Sequence, residues 1–303
     1  MKTRRIIDSH AHLGDIFHVN LNCSFKNNIK KGDYPDHFET LEKSGFNTPL
    51  FTGHPDDLAH VIDGGQFRCW EFGIEQLSAE LDATGMAGIV LLPVLPNTSF
   101  EEYLAASKLD PRIIPFTAAD MLLPLDDMLA KLKRDVGRGA KGLKLHPVLQ
   151  NVPAYDERMV AAANLFGEFD LPVVMHVGVG QYYHDDTNWP QNPAYGAMED
   201  FAKFAHMVNP GTKLVAAHCA AFAEDLMACC GDLENLYADT SFCNAELARK
   251  AVDVMGPDRV LYGTDCPFTH ERYNVQVIDD AFVDEPDTKD KVFYRNIARL
   301  CHL

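Results

Sequence analysis

Residues 172–178 read PVVMHVG, a short apolar run that ends close to a histidine and is bounded by proline and glycine. Strands that are buried on both faces have continuous apolar runs of this kind, whereas half-exposed strands alternate apolar and polar residues. The segment therefore predicts a buried strand of a parallel sheet, with His176 at its carboxyl end.

Seven further runs of the same type occur along the chain. They are RIIDSH (5–10), AGIVLLPV (87–94), IIPFTAAD (113–120), KGLKLHP (141–147), KLVAAHC (213–219), LYADTS (236–241) and VLYGTDC (260–266). Helical patterns separate several of them, at 126–137, 156–169, 196–208 and 244–256, and a final helix is predicted at about 287–301. Eight buried strands that alternate with helices favour an α/β fold of the (β/α)8 TIM-barrel type, with an open doubly wound sheet as the alternative.

The connection after the first strand is much longer than an ordinary loop between a strand and a helix. It covers residues 13–74, and a helix is predicted directly after it, at about 74–84. Within the connection, residues 35–44 and 55–63 have the pattern of short helices with proline in the first turn. We expect one barrel domain over residues 1–303, with the 13–74 insertion ordered over the barrel mouth.

Composition and charge narrow the class of protein. Apolar residues make up 47% of the chain, which allows a large core, and no segment is long and apolar enough to span a bilayer. The 44 acidic and 27 basic residues give a formal charge of −17, which argues against nucleic acid or anionic membrane as a partner. We find no signal-peptide pattern and no C-x-x-C motif, so we expect a cytoplasmic protein with reduced thiols, a small-molecule substrate and, by default, a homodimer.

Titratable residues stand at the carboxyl ends of most of the predicted strands, which is where function sits in a barrel. They are Asp8, His10 and His12 on the first strand, Lys144 and His146 on the fourth, His176 on the fifth, His218 on the sixth, Asp239 on the seventh and Asp265 on the eighth. The H-x-H pair alone is weak evidence in a chain with 13 histidines. Together, the imidazole and carboxylate groups are ligands that zinc prefers, and they predict a metal site.

In this order, the motifs DSHAH, KGLKLHP, PVVMHVG, AAHC, LYADTS and LYGTDCP resemble those of the amidohydrolase superfamily, specifically its amidohydrolase-2 branch of metal-dependent hydrolases and decarboxylases. The closing FYRNIARL resembles the usual end of that branch. The resemblance implies a TIM barrel with one divalent metal, most often zinc. It implies the ligands His10, His12, His176 and Asp265, with His218 as a catalytic histidine that is not a ligand. A second metal, bridged by a carboxylated Lys144, is the alternative.

The predicted activity is hydrolysis. A metal-activated water would attack an ester, lactone or amide carbonyl, with Asp265 transferring the proton. His218 would orient the substrate or stabilise an oxyanion. The alternative is non-oxidative decarboxylation of an aromatic or unsaturated carboxylic acid, and a third possibility is a non-enzymatic metal-binding scaffold.

Further residues are candidates for substrate contacts, each with a structural alternative. Three roles are open for Lys144: its ammonium group binds a substrate anion, it is carboxylated to a bridging carbamate, or it is structural. His146 either contacts the substrate or is only the polar end of a strand. Arg68 would bind a carboxylate in a bidentate manner or is a surface arginine. In the loop after the fifth strand, Tyr182, His184 and Trp189 either line the substrate pocket or pack within the loop.

Four residues near the strand ends are predicted to have structural roles. Asp8 and Asp239 are expected to act as hydrogen-bonding anchors. Cys219 and Cys266 each follow a site residue, so strand alternation turns their side chains away from the site. We interpret both as packing residues and not as nucleophiles.

Overall fold

The computed structural model describes three stretches of the chain, residues 5–18, 32–184 and 190–303, so that part of the insertion and Trp189 lie outside them. Each of the eight predicted runs contains a strand, and the third is divided at Phe116. The strands in the described residues are β1 (Ile7–Ala11), β2 (Gly88–Leu91), β3 (Ile113–Pro115), β4 (Thr117–Ala118), β5 (Leu143–Leu145), β6 (Val173–His176), β7 (Leu214–Ala217), β8 (Leu236–Asp239) and β9 (Val260–Leu261). All pairings between neighbouring strands are parallel.

Helices occupy the connections between these strands. In the described residues they are α1 (His37–Lys43), α2 (Asp57–Glu71), α3 (Ile74–Thr84), α4 (Phe100–Leu109), α5 (Leu125–Gly137), α6 (Glu157–Glu168), α7 (Met198–Met207), α8 (Ala223–Cys230), α9 (Ala245–Met255), α10 (Glu271–Ala281), α11 (Pro286–Asp290) and α12 (Asn296–Leu300). The predicted helix over 55–63 is too short, because α2 continues through Gly64 and Gly65. A Cβ atom at Gly65 would lie 2.9 Å from the ring of Phe268, so glycine is required there for packing rather than to end the helix. None of these helices has both the length and the apolar character that crossing a bilayer requires.

The strands form two ladders, β1-β2-β3 and β4 to β9 in chain order. Phe116 joins the ladders, because its N–H donates to the Leu91 carbonyl at 3.1 Å. The end of the last strand meets the first, because the Asp265 N–H donates to the His10 carbonyl at 2.8 Å. The chain therefore has the predicted TIM-barrel fold and not an open doubly wound sheet.

Alternate residues of the strands pack into two different apolar clusters. Val174 belongs to a cluster that includes Ile297 of α12, whereas its neighbour Val173 packs in the larger cluster with most of the helices. The Asn296 side chain fixes α12 by donating to the Val260 carbonyl at 2.9 Å. Burial on both faces explains why the strands have continuous apolar sequences.

The first strand has an irregular register against β2 between Asp8 and Ala11. Simple alternation would place Asp8 and His10 on one face, but their side chains have different partners, and His10 contacts Asp239. The Asp8 carboxylate accepts hydrogen bonds from the hydroxyl and the N–H of Thr264 at 2.6 and 3.2 Å. Asp8 therefore anchors the first strand to the segment after the last one, which agrees with its predicted structural role.

A buried ion-pair network attaches the insertion to the barrel. The Arg68 guanidinium lies 3.0 Å from Asp36 and 3.3 Å from Glu42, and it donates to the Phe268 carbonyl at 2.9 Å. The Glu42 carboxylate also contacts the ring of His270 at 2.8 Å. Burial opposes ionisation of Glu42, but the hydrogen bonds from His270 and the charge of Arg68 lower its pKa overall.

Replacement of Glu42 by Gln should therefore destabilise the fold by about 3 kcal/mol, because it leaves the buried Arg68 without its full charge compensation. Because the folded-state pKa of Glu42 is lowered, this stabilisation is present above its unfolded-state pKa and is lost as the pH falls through the folded-state value. Urea unfolding of both proteins, at neutral and acidic pH, measures the effect. The exposed Glu39, which pairs with Lys43 at 2.7 Å, supplies the control Glu39→Gln, and equal destabilisation by both variants would contradict the account.

Candidate active site

The carboxyl ends of the strands open into a cavity of about 650 Å³. Seven of the nine predicted site residues line it: His10, His12, Lys144, His146, His176, His218 and Asp265. Tyr182, for which pocket and packing roles were both predicted, lines it as well. The barrel therefore brings site residues from the first predicted strand and from the ends of four others, the fourth, fifth, sixth and eighth, to one place.

Hydrogen bonds from Nδ1 fix the rings of His10 and His12. Nδ1 of His10 lies 2.9 Å from Oδ2 of Asp239, and Nδ1 of His12 lies 2.7 Å from the carbonyl oxygen of Leu92. A carbonyl oxygen only accepts, so Nδ1 of His12 carries a proton, and an ionised Asp239 assigns the same tautomer to His10. In the neutral rings, both Nε2 lone pairs are then available to a metal.

Asp265 faces both of these Nε2 atoms. Its Oδ1 lies 3.3 Å from Nε2 of His10 and 3.2 Å from Nε2 of His12, and this buried oxygen accepts no hydrogen bond from any described residue. Facing lone pairs repel unless a proton or a cation lies between them. Two ligands at about 2.1 Å from a tetrahedral zinc ion are about 3.4 Å apart, so these spacings fit a divalent cation.

His218 and Asp265 both have left-handed backbone conformations, with φ of 65° and 60°. Residues other than glycine rarely adopt such angles, and histidine and aspartate are among those that tolerate them best. Both residues follow the end of a strand, where the turn breaks the simple alternation of side chains. The strain therefore coincides with two predicted catalytic residues, as is common at functional sites.

A chain of hydrogen bonds connects His218 to Asp239. Nδ1 of His218 lies 2.7 Å from the Ser241 hydroxyl, which donates to Oδ1 of Asp239. Because the serine proton goes to Asp239, Nδ1 of His218 is the donor and its Nε2 is an acceptor. Asp239 therefore orients His10 through one oxygen and His218 through the other, which gives the predicted anchor a definite role.

His176 lies between His218 and the cavity wall. Its Nδ1 is 3.2 Å from Nε2 of His218, and its Nε2 is 3.0 Å from the Tyr182 hydroxyl. Its ring stacks on His146 with 4.1 Å between the ring centroids. The backbone N–H of Leu149 approaches Nδ1 of His146 at 3.3 Å, so this nitrogen is an acceptor.

Burial favours the neutral form of the histidines. Desolvation lowers the pKa of His10, His146 and His218 well below the ordinary value and lowers that of His176 to about 3. Desolvation also raises the pKa of Asp265. Neutral imidazoles bind metals and accept protons, and a carboxylate with a raised pKa is a stronger base.

Lys144 of β5 is buried at the same place, with Nζ 3.4 Å from Nε2 of His10. Burial lowers its pKa to about 8, while the charges of Asp265 and Asp239 oppose the shift. Among the described residues that line the cavity, it is the only lysine or arginine. Its ammonium form can hold an anionic group, and its neutral form can react with carbon dioxide to give a carbamate.

The residues whose ligand atoms lie closest together are not the four ligands that the resemblance implies. Single ligand atoms of His10, His218 and Asp265 lie within 4.8 Å of one another. His12 lies near the same oxygen of Asp265, whereas His176 contacts His218. His218, which we expected to be catalytic and not a ligand, is thus as well placed for a cation as the implied ligands.

Two predicted substrate contacts lie elsewhere. Arg68 is held by Glu42 and Asp36 and lines a separate groove, so it is neither a surface arginine nor part of the site cavity. Nε2 of His184 forms a short hydrogen bond with Asp63 of α2. The His184–Asp63 pair attaches the insertion to the loop after β6, whereas Arg68 is paired within the insertion and reaches the rest of the barrel through the Phe268 carbonyl.

The sequence contained a signal for Ser241, which we did not select. It follows Asp239 by two residues, and residues two apart share a face in extended backbone. Cys219 and Cys266 are buried in the larger apolar cluster, where desolvation raises the pKa of both thiols. This burial agrees with their predicted packing role.

Comparison with known proteins places the chain in a family. The family model described as Amidohydrolase matches residues 7–303. No curated protein sequence matches the chain. Many solved structures have similar folds at low sequence identity, which shows a common fold, and three of them are described below.

An uncharacterised TIM-barrel protein from Bordetella bronchiseptica is 16% identical with a TM-score of 0.66, over 98% of each chain. A 5-carboxyvanillate decarboxylase from Novosphingobium aromaticivorans, complexed with manganese and 4-hydroxy-3-methoxy-5-nitrobenzoic acid, is 16% identical with a TM-score of 0.63, over 99% of this chain and 97% of the other. A probable 2-pyrone-4,6-dicarboxylic acid hydrolase from Acinetobacter baumannii is 12% identical with a TM-score of 0.59, over 99% of this chain and 100% of the other.

Proposed function

The chain belongs to the amidohydrolase family, and on this basis we propose that it is a metal-dependent hydrolase acting on an ester, lactone or amide carbonyl of a small substrate. The observation that carries the proposal is the position of Oδ1 of Asp265. This buried oxygen lies 3.3 and 3.2 Å from Nε2 of His10 and His12 and accepts no hydrogen bond from the described residues. The similar hydrolase from Acinetobacter baumannii supports the reaction class.

We propose that one divalent cation, zinc by prediction, is held by His10, His12 and Asp265, with His176 as the fourth ligand that the resemblance implies. The manganese in the similar decarboxylase supports a divalent cation at this site. Such a cation would polarise the substrate carbonyl and make a water molecule more acidic.

The side chains of the site have distinct roles in this proposal. Asp265 accepts the proton of the attacking water and passes it to the leaving group. His218 is neutral with its proton on Nδ1, so its Nε2 has no hydrogen to donate to an oxyanion. We therefore assign His218 to positioning water by accepting a hydrogen bond, and Lys144 to binding an anionic group of the substrate.

Decarboxylation is the second candidate, and one observation favours it. Above the polar residues the cavity is lined mainly by apolar side chains, and a carboxylate in such surroundings is less stable than the carbon dioxide that it releases. Lys144 would hold the substrate anion. The carbon–carbon bond to the carboxylate would break with its electron pair left on the remaining carbon, carbon dioxide would leave, and a proton from solvent would be added to that carbon. The similar 5-carboxyvanillate decarboxylase supports this reaction class.

We also propose that the 13–74 insertion covers the mouth of a single barrel domain. Ile16, Phe17, Phe38, Leu50 and Ile62 belong to the insertion and line the cavity. A cytoplasmic location and a homodimer remain predictions from the sequence.

A substrate screen in ¹⁸O-labelled water distinguishes the two reactions. Metal-loaded protein is incubated with lactones, esters, amides and aromatic acids, and products are identified by mass spectrometry. The proposal predicts an acid product that contains one labelled oxygen and no release of carbon dioxide. Stoichiometric carbon dioxide from a carboxylic acid would overturn it in favour of decarboxylation.

Replacement of Lys144 by Met should leave one metal per chain and raise KM for an anionic substrate about tenfold, because a point charge adds binding without holding the cation. Methionine fills the buried space that alanine would leave empty. Metal analysis and steady-state kinetics measure the two effects, and Lys213→Met is the control, because Lys213 pairs with Asp170 away from the cavity. Two metals in the wild type and fewer in Lys144→Met would instead indicate a carbamate bridge.

A further inference from the structure

The site cavity is polar at one end only. Away from the histidines, its walls consist mainly of aliphatic and aromatic side chains from the insertion and from loops after the strands. Of the described wall residues, Gln181 and Tyr182 are the polar ones, and both are already engaged. The Gln181 amide donates to the Tyr183 carbonyl at 3.0 Å, and the Tyr182 hydroxyl lies 3.0 Å from His176. The walls therefore offer a ligand mainly apolar contact and few hydrogen-bonding groups.

Part of this apolar wall is a packed aromatic cluster. The ring centroid of Phe268 lies 5.8 Å from that of Phe17 and 5.7 Å from that of Phe38. Phe17 in turn lies 5.7 Å from Tyr182. Gly65 allows α2 to approach Phe268 closely, as described above. These contacts fix the shape of the wall, so an apolar ligand would meet a preformed surface and not one that must rearrange.

The apolar surface continues to the mouth of the cavity. Val179 and Phe222 line the cavity and are 70% and 58% exposed. They stand in different connections, Val179 after β6 and Phe222 after β7 at the end of a short 3-10 helix, Cys219–Phe222. When an apolar ligand covers apolar side chains that are exposed at the rim of an apolar cavity, the loss of their contact with water favours binding.

The charges at the site favour one polar group on the ligand. Lys144 and the histidines all lie at the strand ends, and the wall contributes no arginine or lysine from the described residues. A second carboxylate at the far end of a ligand would lose its hydration without gaining a partner.

We propose that the substrate has a single carbonyl or carboxylate group on an extended apolar body that reaches Phe222 and Val179 at the rim. The inference rests on the proposed function for the identity of the reacting group. It excludes dicarboxylic and highly hydroxylated compounds as good substrates. The volume of about 650 Å³ is in the range of sites that enclose whole ligands of drug size.

Calorimetric binding of unreactive acids to the metal-loaded protein tests the proposal. The probes are straight-chain monocarboxylates from butanoate to dodecanoate and the dicarboxylates of equal length. Each methylene that the cavity buries should tighten binding about fourfold until the chain fills it. Dicarboxylates whose second carboxylate ends inside the cavity, short of the rim, should bind at least about tenfold more weakly than the monocarboxylates of equal length. A flat series, or equal binding of these dicarboxylates, would overturn the proposal.

A pair of variants tests whether the apolar body of the ligand reaches the rim. Phe222→Glu should weaken decanoate at least about tenfold and leave butanoate unchanged. The control is Phe169→Glu, because Phe169 is 39% exposed and ends α6 outside the cavity. Val179→Glu repeats the test if Phe222→Glu does not fold by circular dichroism. Unchanged decanoate binding in the folded rim variant, or equal weakening by the control, would overturn the proposal.

The binding series and the proposed hydrolysis fail in different ways. The probes are not hydrolysed, so their affinities do not depend on turnover. A rising affinity series in a protein without hydrolase activity would reject hydrolysis and retain the apolar substrate. Hydrolysis combined with a flat series would retain the reaction and reject the apolar substrate.

Discussion

Replacement of Asp265 by Asn is expected to reduce kcat/KM by about a thousandfold or more. Asparagine keeps the size of the side chain and tolerates the left-handed backbone at this position, where φ is 60°. It cannot accept the proton of water as a carboxylate does. It is also neutral, so it binds a cation together with His10 and His12 more weakly than a carboxylate would. Loss of activity should therefore be accompanied by weaker metal binding.

A control with the same substitution in the same backbone conformation is available. Asp170 has φ of 56° and pairs with Lys213 away from the cavity. Asp170→Asn should leave both kcat/KM and metal content unchanged. Substantial activity in Asp265→Asn, measured with the substrate that the labelled-water screen identifies, would remove Asp265 from the role of base.

Replacement of His218 by Asn should lower kcat by about a hundredfold or more while the protein keeps its metal. The reason is the loss of the Nε2 acceptor that Ser241 and Asp239 hold in place. Asparagine is preferred to alanine because φ at this position is 65°. Kinetics and metal analysis of the same preparation give both quantities.

The control for this variant is His302→Asn, at a half-exposed histidine with φ of 54° near the end of the chain. It should behave as the wild type. If His218→Asn loses metal together with activity, His218 is a ligand. This result would agree with its position near His10 and Asp265, and it would contradict the ligand set implied by the resemblance.

The strands could be predicted because each is buried on both faces and short enough to be read as one apolar run. The residues at their ends followed from the rule that a barrel places function at one end of its strands. Asp8 shows the limit of simple alternation, since it lies where the register of β1 is irregular and bonds to Thr264, while only His10 of the two lines the cavity. Such irregularities depend on the neighbouring strand and have no local pattern in the sequence.

Arg68 and His184 were assigned to the substrate because their own side chains suit that role. Their actual partners, Glu42 and Asp63, are distant in sequence, and local reasoning does not pair such residues. Local reasoning also misses the apolar wall of the cavity, because residues as distant in sequence as Phe17 and Phe268 form it together. The sequence therefore predicts the polar residues at the strand ends, whereas the substrate class depends on tertiary packing.

Metal content measured together with activity shows whether the reaction depends on a bound cation. The purified protein is analysed for metals per chain, treated with a chelator, and assayed before and after a divalent cation is restored. We expect one divalent metal per chain, loss of activity on chelation and recovery on addition of zinc or manganese. A metal-free protein that retains full activity would contradict this expectation.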